Sequence, residues 1–245
     1  MERTMNKKNF GLLNAFFLVT VLLNLTLIAN ARANPVELAE ASDPYYQIES
    51  MEVQALPFDD QELADLEQDN LVMNREVLKS LPQVIATVDG LIALGKKIWP
   101  IIEAGRPVSN ARFNTVDVIP QGTTAMEMEG WQAPKGLRWR VSYKNFYGVE
   151  VIGFTYAVLF QYAGSKDGRG RYLTGVFVEA SDVTVSWGFD FNATSEAITI
   201  ANVGTKANPV ASLMLRINYQ AKSVFRDITN QKTVYLTGTG QISEL

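Results

Sequence analysis

Neither histidine nor cysteine occurs anywhere in the 245 residues. Without histidine, serine and cysteine hydrolases of the usual kind are excluded, because they need an imidazole between nucleophile and carboxylate. Without either residue, the normal ligands of zinc and copper are gone. The lack of cysteine also rules out disulfides and a lipid anchor carried on that residue. After residue 33 no continuous apolar run reaches the roughly 18 residues that a membrane-crossing helix requires.

Carboxylate chemistry survives these exclusions. Glycoside hydrolysis needs only two acids at a set separation, and Glu150, Glu179, Asp182 and Asp190 fall near expected strand ends. Spacing along the chain does not fix that separation, and solvated turn residues explain the same pattern. Asp182, Asp190 and Asp227 could supply oxygens to calcium, but no D-x-[DN]-x-[DN]-G loop accompanies them. We therefore expect no metal, no cofactor and no catalytic residue, and read the chain as non-enzymatic.

The N-terminus has the layout of an export signal. Arg3, Lys7 and Lys8 precede an apolar run from Leu12 to Ile28, and Ala31-Arg32-Ala33 offers the small residues of a cleavage site. Residues 1–33 are expected to be removed near Ala33, leaving a secreted or periplasmic protein, and a short signal without cysteine fits a bacterial source. The competing reading is an uncleaved anchor, since the run approaches the ~20 residues that cross a bilayer. Asn14, Thr20 and Asn24 interrupt it.

Charge divides the rest of the chain. Residues 34–74 contain eleven acids, from Glu37 to Asp69, and no base. From Arg75 onward there are 18 Lys and Arg against 14 Asp and Glu, a net of +4. The first segment reads as an acidic, partly disordered arm, either a solvated leader or a cover over the basic body. Within it, residues 60–71 could form a short helix through Leu63, Leu66 and Leu71.

Residues 75–107 are expected to be helical. Ser80-Leu81-Pro82-Gln83 has the form of a capping box with proline in the first turn. Leu81, Val84, Ile85, Val88, Leu91, Ile92, Ile98 and Trp99 follow the i, i+3, i+4, i+7 rhythm. Pro100 should bend this amphipathic helix, Gly105 end it and Pro107 stop it.

Beyond residue 108 the period becomes 2. Leu137, Trp139, Val141 and Tyr143 alternate with Arg138, Arg140, Ser142 and Lys144. Similar patterns run over 154–162, 183–191 and 213–219, with weaker ones near 112–119, 172–178, 197–203 and 233–242. Asn145-Phe146-Tyr147-Gly148 and the segment around Asp167-Gly168 read as hairpin turns, and Asn208-Pro209 as a further break. The fold class is mainly β: an antiparallel β-sandwich of about eight or nine strands over 108–245, preceded by one amphipathic α-helix. On its stripe, Trp187 is expected in the core.

Two loops are candidates for binding. Lys166, Arg169 and Arg171 crowd the glycine-rich turn GSKDGRGR, which is a hairpin tip by default and an anion-contacting loop by charge. Phe146 and Tyr147, with Lys144 beside them, either fold back as a lid or remain exposed as an interfacial or sugar-stacking contact. Asn192-Ala193-Thr194 matches a glycosylation acceptor, which matters only in a eukaryotic secretory route.

These features describe an exported binding or structural module at the cell envelope or outside the cell. Its expected partners are a surface polysaccharide, an envelope protein or an anionic lipid, and not nucleic acid. The alternative is a membrane-interacting or pore-forming protein that inserts the helix over 81–102, with Asp89, Lys96, Lys97 and Trp99 as its distinctive residues. In that form the plan, a helix before a β-sandwich, resembles actinoporin-like pore formers in general layout, with no family motif matched residue by residue. Asp89 weighs against insertion, since an acid at the bilayer centre costs roughly 2.5–3.5 kcal/mol.

Overall fold

A computed structural model describes residues 43–58, 83–108 and 114–245. The export signal, the helix expected over 60–71, the Ser80 cap and the larger part of the acidic arm lie outside the described residues. A 3₁₀ turn at Pro44–Tyr46 leads into β1 (Ile48–Leu56), so this part of the acidic stretch is a strand. Next come β2 (Val84–Val88), β3 (Leu91–Gly95), β4 (Ile98–Glu103), β5 (Arg106–Pro107) and β6 (Val116–Pro120). A second 3₁₀ turn, Ala125–Glu127, precedes the long strands β7 (Lys135–Asn145), β8 (Glu150–Lys166) and β9 (Arg169–Val185). The chain closes with β10 (Phe189–Asn202), β11 (Ala211–Ser223), β12 (Asp227–Thr237) and β13 (Ile242–Glu244).

The strands form two antiparallel sheets. One has seven strands in the order β1-β7-β8-β9-β6-β3-β2, and the other has six in the order β13-β12-β11-β10-β4-β5. Alternation puts Trp139, Val141 and Tyr143 of β7 on the same buried face as Phe154 and Tyr156 of β8. Leu213, Leu215, Ile217 and Tyr219 of β11 supply the opposing face, while Met214, Arg216, Asn218 and Gln220 are only partly buried. The two faces meet through aromatic rings: Phe154 lies 4.7 Å from Phe191 and 5.3 Å from Tyr219 between centroids. Such pairs add about 0.5–1.5 kcal/mol each beyond area burial. A smaller cluster of Ala157, Leu159 and Phe177, with Phe58 packed on it, covers the second face of β8.

The helix expected over residues 81–102 is not formed. Its described part, from residue 83 onward, is β2, β3 and β4, and β5 completes a second hairpin. Asp89 and Gly90 are the reason. Both have positive φ, 48° and 80°, and they join Val88 directly to its partner Leu91. That is a two-residue hairpin of the primed type, whose twist matches that of the flanking strands. Ala104 and Gly105, at φ 46° and 70°, repeat the device between the paired residues Glu103 and Arg106. The flanking residues Val84, Ile85, Val88, Ile92, Ile101 and Ile102 are β-branched and favour strands. Pro100 is tolerated within β4 because β5 pairs with that strand only at Ile102 and Glu103.

With the helix go the membrane alternative and the likeness to pore formers that rested on it. Asp89 sits in a turn, Lys96 and Lys97 lie in the link between β3 and β4, and Trp99 is fully buried in the core. Among the described residues no helix is long and apolar enough to cross a membrane.

Trp187 is a second correction. The alternation that suggested one strand over 183–191 crosses the end of β9 and the start of β10, and Trp187 occupies the turn between them. It is 76% exposed instead of buried. Sequence period alone did not register the reversal.

Candidate functional site

Three connections gather around the Pro44–Tyr46 turn at one end of the molecule. They are the β7–β8 tip, the β9–β10 turn and the β11–β12 turn. Asn145, itself almost wholly buried, fastens the first of them. Its Oδ1 accepts from the backbone N–H groups of Tyr147 at 3.1 Å and Val149 at 3.0 Å, and its Nδ2 donates to the carbonyl of Tyr45 at 3.1 Å. Phe146 N–H donates to the Gln47 carbonyl at 3.0 Å. The buried ring of Tyr46 forms the common base, with centroids 6.0 Å from Trp187, 6.0 Å from Phe189 and 6.2 Å from Phe225.

On that base stand large apolar side chains that water reaches freely. Phe146 is 59% exposed, Tyr147 61%, Val149 54%, Trp187 76% and Val224 62%. The rings of Phe146 and Tyr147 therefore stay out and do not fold back as a lid. Because Asn145 ties the tip and Tyr46 backs Trp187, this exposure is a property of an ordered surface. Lys144 adds no free charge here, since its Nζ lies 2.8 Å from both carboxylate oxygens of Glu52.

Lys166, Arg169 and Arg171 lie at the opposite end. Lys166 and Arg169 flank the turn formed by Asp167 and Gly168, which have φ of 51° and 70°. The 17 residues of β8 separate this tip from Phe146 and Tyr147, roughly 50 Å at about 3.3 Å per residue. The candidate residues thus fall into two chemically different groups, one aromatic and one basic. Sequence reasoning missed Trp187, Val149 and Val224 at the first end and Lys206 at the second. A tryptophan followed by glycine was the available sign that Trp187 belongs to a turn.

Of the acids considered for catalysis or calcium, Glu150 and Asp227 are held by other partners. Glu150 accepts from Arg140 Nη2 and from Ser142 Oγ, both at 2.6 Å. Asp227 faces Lys222 at 3.2 Å and Gln220 at 3.1 Å. Among the described residues, no three His, Cys, Asp or Glu side chains gather as a metal site would require. Burial pushes the Asp117 carboxyl above its ordinary range, while donation from Gly175 N–H and the Thr174 hydroxyl pulls it back. Burial likewise raises the phenols of Tyr156 and Tyr219 and keeps them neutral.

Compared with known proteins, the chain matches no family model, no curated protein and no solved structure.

Proposed function

We propose that this chain is an exported, non-enzymatic binding module that acts at the cell envelope or outside the cell and holds a surface polysaccharide at its aromatic end. The observation that carries this reading is the set of three exposed rings, Phe146, Tyr147 and Trp187, fixed on a buried base of Asn145 and Tyr46. A sugar ring presents an apolar face of C–H groups that an exposed aromatic ring covers well. Stacking removes both faces from water while the hydroxyls at the sugar's edge keep their hydrogen bonds. Rings held in place before binding lose little conformational freedom when the ligand arrives.

The non-catalytic part of the reading rests on a sequence without imidazole or thiol, and on Glu150 and Asp227 being engaged by cations. Export rests on the pattern of residues 1–33.

The test is calorimetric titration of the purified chain with a panel of soluble polysaccharides. At least one should bind, and Trp187→Ala or Phe146→Ala should weaken it about 2- to 12-fold per ring, the equivalent of ~0.5–1.5 kcal/mol. Binding unaffected by either substitution, or no binding across the panel, would overturn the proposal.

A further inference from the structure

The basic end has an organisation that the aromatic end does not explain. Asn208, in the β10–β11 connection, accepts from Gly170 N–H through Oδ1 at 2.7 Å, and the neighbouring Pro209 carbonyl accepts from Arg171 N–H at 2.9 Å. Arg171 also forms a parallel bridge with Val210. The connection is itself braced, with Thr205 N–H donating to the Asn208 carbonyl at 3.2 Å and Asn208 N–H to Thr205 Oγ1 at 3.0 Å. These bonds set the loop carrying Lys206 against the hairpin carrying Lys166, Arg169 and Arg171.

The charges there differ from those on the strands. Arg140, Lys144, Arg216, Lys222 and Lys232 each face a carboxylate, namely Glu150, Glu52, Glu196, Asp227 and Glu244. Lys166, Arg169 and Lys206 have no carboxylate partner among the described residues. Arg171 spends one N–H on the Gly170 carbonyl at 2.9 Å and keeps the rest of its guanidinium for another acceptor. Asp167 in the turn and Glu129, which pairs through its backbone with Ser165, leave the four cations in excess. Like charges on adjoining loops repel one another, and a bound polyanion relieves that cost.

We infer that this end is a second binding site, independent of the aromatic one, and that its ligand is an acidic polysaccharide bearing carboxylate or sulfate groups. Among the described residues the freely exposed rings, Phe146, Tyr147 and Trp187, stand at the other end, and Trp131, which packs on Gly164 near these cations, is partly buried. Nucleic-acid bases would find no freely exposed ring to stack on here, and an acidic glycan needs no such platform. With an aromatic site roughly 50 Å away along β8, one molecule can hold two strands of polysaccharide at once.

The experiment titrates the purified chain with a sulfated glucan, a polyuronate, an uncharged glucan and a single-stranded oligonucleotide, at low and at physiological salt. The two acidic glycans should bind and weaken as salt rises, since exposed charges are screened beyond about 8 Å at physiological ionic strength. Joint replacement Lys166→Gln, Arg169→Gln and Lys206→Gln should reduce their affinity by up to about fivefold per charge. Lys232→Gln, at a lysine already paired with Glu244, should leave it unchanged. Melting temperature checks that each variant is folded, and Arg169→Gln alone provides the milder form. The inference is overturned if neither acidic glycan binds, if the triple variant binds them like the parent chain, or if the oligonucleotide binds as tightly as the sulfated glucan. Loss of acidic-glycan binding in Trp187→Ala would merge the two ends into one site and also count against it.

Discussion

The side-chain amide of Asn145 donates to the backbone carbonyl of Tyr45, 100 positions earlier in the chain, at 3.1 Å. The same side chain accepts from two N–H groups of its own hairpin tip, so one buried residue holds both the exposed aromatics and the segment beneath them. An asparagine suits this place because it offers donor and acceptor together.

Asn145→Ala removes three hydrogen bonds and should cost about 1.5–4.5 kcal/mol, at ~0.5–1.5 per bond. Urea denaturation measures the loss. Asn145→Asp keeps the acceptor but sets a buried carboxylate oxygen against the Tyr45 carbonyl, so at neutral pH it should be destabilised at least as much. The loss should ease in acid, as the carboxyl takes up a proton and can donate again. Equal stability of all three proteins would show that the tip is not fastened this way.

Gly90 distinguishes a hairpin from a helix. In a helix, Gly→Ala stabilises by roughly 0.5–1 kcal/mol. In this turn, where Gly90 has φ 80° and open space around its Cα, alanine should destabilise by about 1–2 kcal/mol through backbone strain alone. Gly105→Ala should cost more, because its Cβ would also lie 2.9 Å from Val185 Cγ2. A stabilised Gly90→Ala protein would contradict the strand assignment.

Asp117 predicts a pH dependence. Its Oδ1 accepts from Thr174 Oγ1 at 2.7 Å and from Gly175 N–H at 2.8 Å, yet burial still raises its pKa above the ordinary 3.8. The folded state therefore holds this proton more tightly than the unfolded state. The favourable contribution is complete below pH 3.8 and is lost as pH rises through the folded-state value. Asp117→Asn retains an acceptor oxygen without the charge and should be the more stable protein at neutral pH, with the advantage vanishing in acid. Asp117→Ala should lose about 1–3 kcal/mol by leaving its donors unpaired. Denaturation curves across the acid range check both, and an Asn variant weaker than the parent chain at neutral pH would refute the sign.

Tryptophan fluorescence should be divided. Trp99 and Trp139 are buried, Trp131 is partly buried and Trp187 is 76% exposed. A dissolved quencher should act chiefly on Trp187, and Trp187→Phe should remove most of the quenchable emission while leaving stability within about 1 kcal/mol of the parent chain. Quenching that persists in the variant would place another tryptophan at the surface.

The chain's alternating residues made much of the β structure legible. Leu213, Leu215, Ile217 and Tyr219 could bury one common face only as a strand, and Asp167-Gly168 marked its hairpin without help from the rest of the molecule. The region from Val84 to Ile102 was different. Its apolar residues satisfy a helical stripe and a set of short strands equally well, and the outcome depends on partners far away in sequence. Trp99 pairs with Ser195, and Leu91 with Pro120, across bonds that no local pattern contains. The overlooked local sign was Asp89-Gly90, the same dipeptide that marks the hairpin at 167–168.

The candidate site divides in the same way. By itself, the sequence determined which chemistries were available: no imidazole, no thiol, aromatic residues in one turn and cations in another. Only tertiary structure decided that Trp187 joins Phe146 and Tyr147, that Lys206 joins Arg169, and that β8 keeps the two groups apart. The physical reason is that residue type fixes what a side chain can do, whereas hydrogen bonds between distant strands fix which side chains stand together.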